Sequence, residues 1–181
     1  HKMKIHKDCK IELAASKDET RFAITEPYLD MVNEPVMVAT NGMMMAIIPV
    51  EVNEHDKQGY VTGESLKAMR KVKFNPEVTC NGQLSVKDGP SFPRPDNGQY
   101  PNWRQVVPAK DREVKFSVGL NARALWELAQ AMGCDAVSLE FSDSGDAIVV
   151  KPSNGGMYGG KFCKPAACLE ACGVLMPLRL S

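Results

Sequence analysis

The sequence predicts an α+β fold in which a strand, a helix and a set of antiparallel strands occur twice along the chain. Two amphipathic helical patterns are each followed by short apolar runs. Asn-Gly dipeptides separate two pairs of the runs in the first half, which is typical of β-hairpins. A segment rich in Pro, Gly and Asn divides the two passages. We therefore predict one pseudo-symmetric domain over 1–181, with half-units at about 10–90 and 111–181 joined by a connector at 91–110.

The first half-unit opens with apolar or alternating runs that predict strands. These runs are Lys10–Ala15, Phe22–Thr25, Val36–Thr40 and Met43–Val50. Asn41 and Gly42 lie between the last two runs and favour the two positive-φ positions of a type I′ turn. The segment Glu26–Met31 is predicted to form a short turn of helix.

The first main helix is predicted over Gly63–Val72, because Leu66 and Met69 recur at helical spacing and Thr62 can cap its start. Its opposite face is cationic. The cations of this helix and of the residues just after it are Lys67, Arg70, Lys71 and Lys73. Two short strands, Val78–Cys80 and Leu84–Val86, follow as a second hairpin.

The second half-unit repeats this order. A strand at Val114–Val118 precedes a helix that Asn121 caps and that ends before Gly133. One stripe of this helix is apolar and consists of Ala122, Leu125, Trp126, Ala129 and Met132. A hairpin at Val137–Phe141 and Ala147–Lys151, and a last strand at Gly173–Leu180, complete the half-unit.

The composition is that of an ordinary globular chain. Lys plus Arg number 22, Asp plus Glu also number 22, and 44% of the residues are hydrophobic, which argues against disorder and against general affinity for polyanions. The longest apolar run, Met43–Val50, is too short to cross a membrane. The basic first residues precede no apolar core, so we expect a cytoplasmic protein with reduced cysteines.

Catalytic patterns are scarce. His55 sits in a polar loop, and the acidic turn Ser142–Asp146 is typical of a hairpin rather than of a cation site. The glycine-rich segment Gly155–Lys161 matches the start of a phosphate-binding loop, but Phe162 stands where that loop needs Ser or Thr. We therefore predict a protein that is not an enzyme and has no cofactor.

A cysteine cluster leaves two interpretations open. Cys163, Cys168 and Cys172 lie within ten residues of one another, and Cys134 is a candidate fourth ligand for zinc. Their spacing differs from that of common structural zinc sites, and small apolar packing of Cys168 and Cys172 on a short helix is the favoured alternative. We predict no metal.

Three stretches together resemble the bacterial sliding clamp, the beta subunit of DNA polymerase III. They are Val38–Ile47, Tyr100–Pro108 and Gly173–Leu180. The first is similar to the family's Ala-Thr-Asp-Gly-His-Arg-Leu-Ala hairpin, the second to its Phe-Pro-Asp-Tyr-Arg-Arg-Val-Leu-Pro segment and the third to its extreme C-terminus. The set occurs in the family's order and spans residues from about 20 to 180.

The resemblance implies a DNA-clamp-like domain and a role in replication. Clamps of this family form rings with helices lining the hole, so the implied DNA-facing residues are Lys67, Arg70, Lys71, Lys73 and Arg123. A clamp chain of the family has three domains and closes as a dimer, whereas one domain per chain requires about six copies. The implied function is a processivity factor of a phage or bacterial system that encircles double-stranded DNA as a homo-oligomer, without sequence specificity.

The resemblance also implies a pocket for a short hydrophobic peptide of replication proteins. Its wall would consist of Thr40, Gly42, Met43, Met44, Met45, Pro101, Gln105, Val106, Val174, Leu175, Met176, Pro177, Leu178 and Arg179. Met43 and Met44 replace the family's His-Arg, and Gln105 replaces an Arg, so this rim is more apolar. Packing of these methionines in the core remains an alternative. The alternative function is a monomeric clamp-fold adaptor or decoy that binds a peptide and does not encircle DNA.

Overall fold

The structure, a computed structural model, describes residues 3–73, 76–142, 146–154, 157–158, 161–163, 166–167 and 169–178. The chain divides into two compact units, residues 1–104 and residues 105–181. The division falls inside the segment at 91–110 that the sequence predicts as a connector. Each unit has its own main helix, antiparallel strands and hydrophobic core.

A four-stranded antiparallel sheet forms one part of the first unit. Its strands are β1 (Tyr28–Asp30), β2 (Val36–Thr40), β3 (Met45–Pro49) and β4 (Gly59–Tyr60), in the order β3-β2-β1-β4. Leu29 pairs with Met37, and both side chains are fully buried. The central strand β2 is buried almost throughout because it has neighbours on both sides.

The first main helix and a second sheet complete this unit. The helix α1 spans Gly63–Arg70, and the sheet contains β5 (Val78–Cys80), β6 (Gln83–Val86) and β7 (Ser91–Pro93) in that order. Leu66 and Met69 of α1 are fully buried in the same core as Val78 and Leu84. The side of α1 that carries Lys67 therefore lies away from this core.

A partly buried guanidinium links the two sheets of the first unit. Arg94 donates hydrogen bonds to four backbone carbonyls, those of Lys57 (2.6 Å), Tyr60 (2.9 Å), Cys80 (3.1 Å) and Asn81 (3.0 Å). Gly59 lies beside it with φ +140°, and a Cβ there would be 3.1 Å from Nη2 of Arg94. Glycine is required at this position for both its backbone conformation and the close approach.

The second unit contains α2 (Ala122–Ala131) and a three-stranded antiparallel sheet. The sheet strands are β8 (Val137–Glu140), β9 (Ile148–Pro152) and β12 (Gly173–Leu175), in the order β12-β9-β8, and β10 (Met157–Tyr158) pairs with β11 (Lys161–Phe162). Ala129 and Met132 share a small core with Ile148 and Val150. Among the described residues neither helix is long and apolar enough to span a membrane.

The prediction of an α+β fold with antiparallel sheets and two main helices is confirmed. Several predicted strands are wrong. Lys10–Ala15 contains a 3₁₀ helix, and Phe22–Thr25 overlaps a second 3₁₀ helix, Glu19–Ile24, whose first turn is capped by the Asp18 side chain accepting from the Thr20 amide. The segment 26–31, predicted as a helical turn, instead contains β1. Val114–Val118 makes no strand and is largely exposed.

The predicted hairpin forms, but its turn is of another type. Thr40 pairs with Met45, which leaves a four-residue connection in which only Gly42 has a positive φ, +87°. The Asn41 carboxamide oxygen accepts from the amides of Met43 (2.8 Å) and Met44 (3.0 Å). This side-chain bonding closes the turn without the second positive φ that a type I′ turn requires.

Candidate DNA-facing helix and peptide cleft

The helix α1 presents a row of lysines to solvent. Thr62 caps the helix, its hydroxyl accepting from the Ser65 amide at 3.1 Å. Lys67 is exposed on the helix, and Lys71 and Lys73 are exposed just after its end. These three exposed lysines lie within seven residues of one another, so the C-terminal part of α1 and the residues after it carry local positive charge on a chain with no net charge.

Arg70 differs from these lysines because it is turned into the protein. Its guanidinium is paired with both carboxylate oxygens of Glu12 and also donates to the carbonyl of Cys9 at 3.4 Å. The side chain of Arg70 is 14% exposed and that of Glu12 is 8% exposed. A cation held in this way ties α1 to the first 3₁₀ helix, and its charge is already compensated.

A partly buried carboxylate sits at the start of α1. Glu26 accepts a hydrogen bond from the Gly63 amide at 2.7 Å. Burial raises the pKa of Glu26 above its usual value, and the nearby carboxylates of Glu64 and Glu12 act in the same direction. The Gly63 amide and Lys67 oppose this shift but do not cancel it. The charged form of Glu26 is therefore less stable in the folded protein than in the unfolded chain.

Replacing Glu26 with Gln is expected to stabilise the first unit at pH 7 by up to about 0.5 kcal/mol. Gln keeps an oxygen for the Gly63 amide and removes the buried charge. The pKa of Glu26 is higher in the folded protein than in the unfolded chain, so protonated Glu26 favours the folded state. This contribution to stability is fully present at a pH below the pKa of the unfolded chain. It is lost as the pH rises through the pKa of the folded protein. The advantage of Glu26→Gln should therefore vanish in acid, as measured by urea unfolding from pH 3 to 8.

The matched control is Glu64→Gln, which removes an exposed charge from the first turn of α1. That change should slightly destabilise the helix at neutral pH, since an acid there favours the N-terminus of a helix. A Glu26→Gln protein less stable than the wild type at pH 7 would contradict the argument.

The helix α2 of the second unit carries little free positive charge. Asn121 caps it by accepting from the amides of Arg123 and Ala124. Arg123 is exposed, and its Nε donates to Glu127 at 2.9 Å, one turn away. Trp126 and Ala122 are predicted to lie in the apolar stripe, but both are exposed, Trp126 by 63%. Leu125 and Leu128 pack against the core of this unit.

The residues proposed for the peptide pocket are divided between the two units. Six lie in the first unit, where Thr40 is buried, Met45 is partly buried, and Gly42, Met43, Met44 and Pro101 are exposed. Seven lie in the second unit, where Leu175 is buried, Pro177 is partly buried, and Gln105, Val106, Val174, Met176 and Leu178 are exposed. Arg179 lies outside the described residues.

Within the first unit the hairpin adjoins a small apolar cleft. The cleft has a volume of about 270 Å³ and is lined by Thr20, Arg21, Phe22, Ala23, Ile24 and Pro101. Nη1 of Arg21 donates to the Asn41 carbonyl at 2.7 Å, and a Cβ added to Gly42 would lie at the same distance from it. Arg21 therefore joins the cleft to the tip of the hairpin, and a larger residue at position 42 would break this contact.

The sequence reasoning did not single out Arg21, Phe22 and Ile24 as site residues. It assigned Phe22–Thr25 to a strand and Arg21 to the polar turn before it. The available signal was Asp18, a residue type that favours the start of a helix. The 3₁₀ turn that Asp18 caps brings Arg21 and Ile24 to neighbouring sites beside the hairpin and Pro101.

The segment Tyr100–Arg104, which carries part of the resemblance, is anchored to the four-stranded sheet. Tyr100 stacks on Tyr28, with ring centroids 4.7 Å apart, and the Asp30 carboxylate accepts from Nε1 of Trp103 (2.8 Å) and Nη1 of Arg104 (2.5 Å). Burial would raise the pKa of Asp30, but the bonds from Arg104, the Val32 amide and Trp103 hold it below its usual value. These contacts fix the position of Pro101.

The other candidate chemistry of the sequence finds no support among the described residues. No group of three His, Cys, Asp or Glu side chains there could hold a metal ion. Burial raises the pKa of the Cys80 thiol to about 12 and also raises that of Cys134, so both are protonated and unreactive at neutral pH. Cys163 and Cys172 are free thiols, while Cys168 and parts of 142–146 and 155–161 lie outside the described residues.

Comparison with known proteins identifies the fold but not a sequence family. No family model matches the sequence, and no curated protein matches it. The beta sliding clamp of C. crescentus, solved with PEG bound, is similar with a TM-score of 0.64 at 17% identity, over 93% of this chain and 46% of the clamp. The Bartonella birtlesii sliding clamp bound to griselimycin matches over 93% of this chain and 62% of its own, with 14% identity and a TM-score of 0.45.

The chain thus spans about half the length of the C. crescentus clamp that it matches. The match includes both units and almost all of the sequence, so the clamp-like prediction is confirmed at the level of fold. The protein has the fold of the bacterial DNA clamps.

Proposed function

We propose that this protein is a non-enzymatic, sliding-clamp-like accessory factor of phage or bacterial DNA replication, acting in the cytoplasm. In this proposal several copies form a ring around duplex DNA, and the ring binds replication proteins through short hydrophobic peptides. The observation that carries the proposal is the clamp fold over 93% of the chain. Fold alone does not specify function, so the proposal also rests on the two surfaces described above.

The lysines of α1 support the part of the proposal that concerns DNA. Lys67, Lys71 and Lys73 are exposed together, and cations on one face can contact phosphates without reading bases. A ring retains DNA by topology, so it needs only a local positive surface and not a positive net charge. At one domain per chain, the proposed ring would contain about six copies.

Retention on circular DNA tests this function. The protein, assembled at high concentration with nicked circular DNA, is expected to co-elute with the circles in gel filtration and to be released when a restriction enzyme linearises them. Light scattering should give the mass of several chains. A strict monomer at high concentration, or equal retention on circular and linear DNA, would contradict encirclement.

The cleft beside the hairpin supports the part of the proposal that concerns peptides. It lies wholly within the first unit, and Phe22 and Met43 beside it are each 61% exposed. Exposed apolar side chains of this size next to a concave surface are typical of peptide-binding sites. The same cleft also favours a second candidate function, that of a monomeric clamp-fold adaptor. A protein that light scattering shows to be a monomer and that still binds peptide in a separate binding assay would support this function.

A further inference from the structure

The segment before α2 exposes apolar side chains and an unpaired backbone. Val114 is 63% exposed and Phe116 is 62% exposed. The ring of Phe116 contacts that of Phe141, which is itself 41% exposed, with centroids 5.9 Å apart. Within the part of the chain that the structure describes, the backbone of residues 113–118 makes no hydrogen bond. Its donors and acceptors are therefore left to water or to another chain.

The corresponding position in the first unit is occupied by a paired strand. There β4 ends shortly before α1 and pairs antiparallel with β1. In the second unit, residues 113–118 stand at the same place before α2, and the alternation of apolar and polar residues in them is typical of a strand. The described residues of this unit provide no neighbour that would correspond to β1. The second unit thus has a segment suited to a strand without a partner strand.

Charge complementarity indicates that the same segment of a second copy suits this position. When two identical strands pair antiparallel about a two-fold axis, one residue lies opposite its own copy. With Val114 on the axis, Glu113 of each copy lies opposite Lys115 of the other. With Lys115 on the axis, two like charges would lie directly opposite each other, which is destabilising. With Phe116 on the axis, Glu113 would lie opposite Gly119, whose backbone is already bridged within its own chain.

The register centred on Val114 also gives the other face of the pair favourable contacts. Side chains alternate between the faces of a strand, so Arg112, Val114 and Phe116 share one face. Arg112 then lies opposite Phe116 of the second copy, which suits a cation–π contact. Among the described residues, no ion pair involves Arg112, Glu113 or Lys115. Pairing of two copies would therefore break no existing ion pair.

We propose that residues 112–116 are an interface at which two copies of this chain pair as antiparallel strands, with Val114 on the two-fold axis. The pairing buries the exposed apolar side chains of both copies and gives their backbones hydrogen-bond partners. The inference goes beyond the proposed function, because it requires neither DNA nor a closed ring. A pair of strands is marginally stable by itself, so we expect an association that reverses on dilution.

Charge reversal tests both the interface and its register. Sedimentation velocity of the full chain from about 1 to 200 µM is expected to show reversible association of at least two chains. Glu113→Lys and Lys115→Glu each place like charges opposite one another twice per pair, so either should raise the dissociation constant at least about tenfold. The double variant restores opposite charges, so its constant should return to within about threefold of the wild type.

The matched control reverses two exposed charges of the first unit, with Glu34→Lys and Lys17→Glu. These changes alter the net charge by the same amounts as the test variants, and they should leave the dissociation constant unchanged both singly and together. The comparison separates an effect of position from a general effect of charge.

The outcomes distinguish this interface from the proposed ring. Single variants that associate like the wild type, or a double variant that stays dissociated, would overturn the interface and leave the ring untouched. A wild type that remains monomeric at the highest concentration would overturn both. Association that follows the charge pattern, together with equal retention on circular and linear DNA, would support the interface and contradict encirclement alone.

Discussion

Replacing Arg94 with Met is expected to lower the free energy of unfolding of the first unit by about 3 kcal/mol. Met fills a similar space with a flexible apolar chain but donates no hydrogen bond. The carbonyls of Lys57, Tyr60, Cys80 and Asn81 would each lose a charged donor. Burial lowers the pKa of Arg94, in keeping with a side chain that is partly buried between the sheets.

The effect should be specific to the link between the sheets. Lys57 and Tyr60 precede α1 and adjoin the four-stranded sheet, whereas Cys80 and Asn81 form the end and turn of the β5-β6 hairpin. Loss of Arg94 therefore removes one link between the two sheets, which still share a hydrophobic core. Arg94→Lys should lie between the wild type and Arg94→Met, because one ammonium cannot span four carbonyls.

The two tryptophans of the chain make the measurement local, since Trp103 lies in the first unit and Trp126 in the second. In a Trp126→Phe background, the fluorescence of Trp103 reports urea unfolding of the first unit alone. Lys10→Met is the control, because a substitution at an exposed position of the same unit changes stability by about 0.5 kcal/mol or less. A change for Arg94→Met as small as that of the control would refute the proposed link.

Replacing Lys67, Lys71 and Lys73 together with Glu is expected to reduce retention on nicked circular DNA at least about tenfold at 100 mM salt. The three substitutions reverse the charge of the exposed lysine surface, so phosphates are repelled where they were attracted. Arg70 is omitted because its pairing with Glu12 supports the fold. If Arg70 were also replaced, lower retention could result from a damaged fold as well as from lost DNA contacts.

The charge-matched control replaces Lys17, Lys57 and Lys110, three exposed lysines outside the helix, with Glu. Both triple variants have the same net charge, so a difference between them depends on position. Retention of the wild type should also fall steeply with salt, and the slope should be smaller for the α1 variant. Equal retention of the two triple variants would rule out α1 as the surface that faces DNA.

The elements that could be predicted were those with a strong local signal. Leu66 and Met69 at helical spacing with Thr62 in front define α1, and Asn121 does the same for α2. The β2-β3 and β5-β6 hairpins follow from short apolar runs on either side of Asn-Gly. Lys10–Ala15 and Phe22–Thr25 could not be assigned correctly, since short apolar runs of this kind suit a strand or a 3₁₀ turn equally well and tertiary contacts decide between them.

The candidate site shows the same limit. The exposure of Lys67 follows from helical periodicity, because a residue opposite a buried stripe faces solvent. The inward turn of Arg70 does not, since it depends on Glu12, which is 58 residues away along the chain. The cleft was missed for a similar reason, because Arg21 meets Asn41 and Pro101 only after the chain has folded.

The sequence by itself determined the doubled order of helices and hairpins, the absence of net charge and the likeness to a clamp, because all three depend on residue types and their spacing. Only the tertiary structure decided which cations remain free and which are compensated, and only it placed Arg21 beside the hairpin. Periodicity identifies the exposed face of a helix, but pairing between distant residues is a property of three-dimensional distance. The lysines proposed to face DNA are distinguished from Arg70 by its pairing with Glu12.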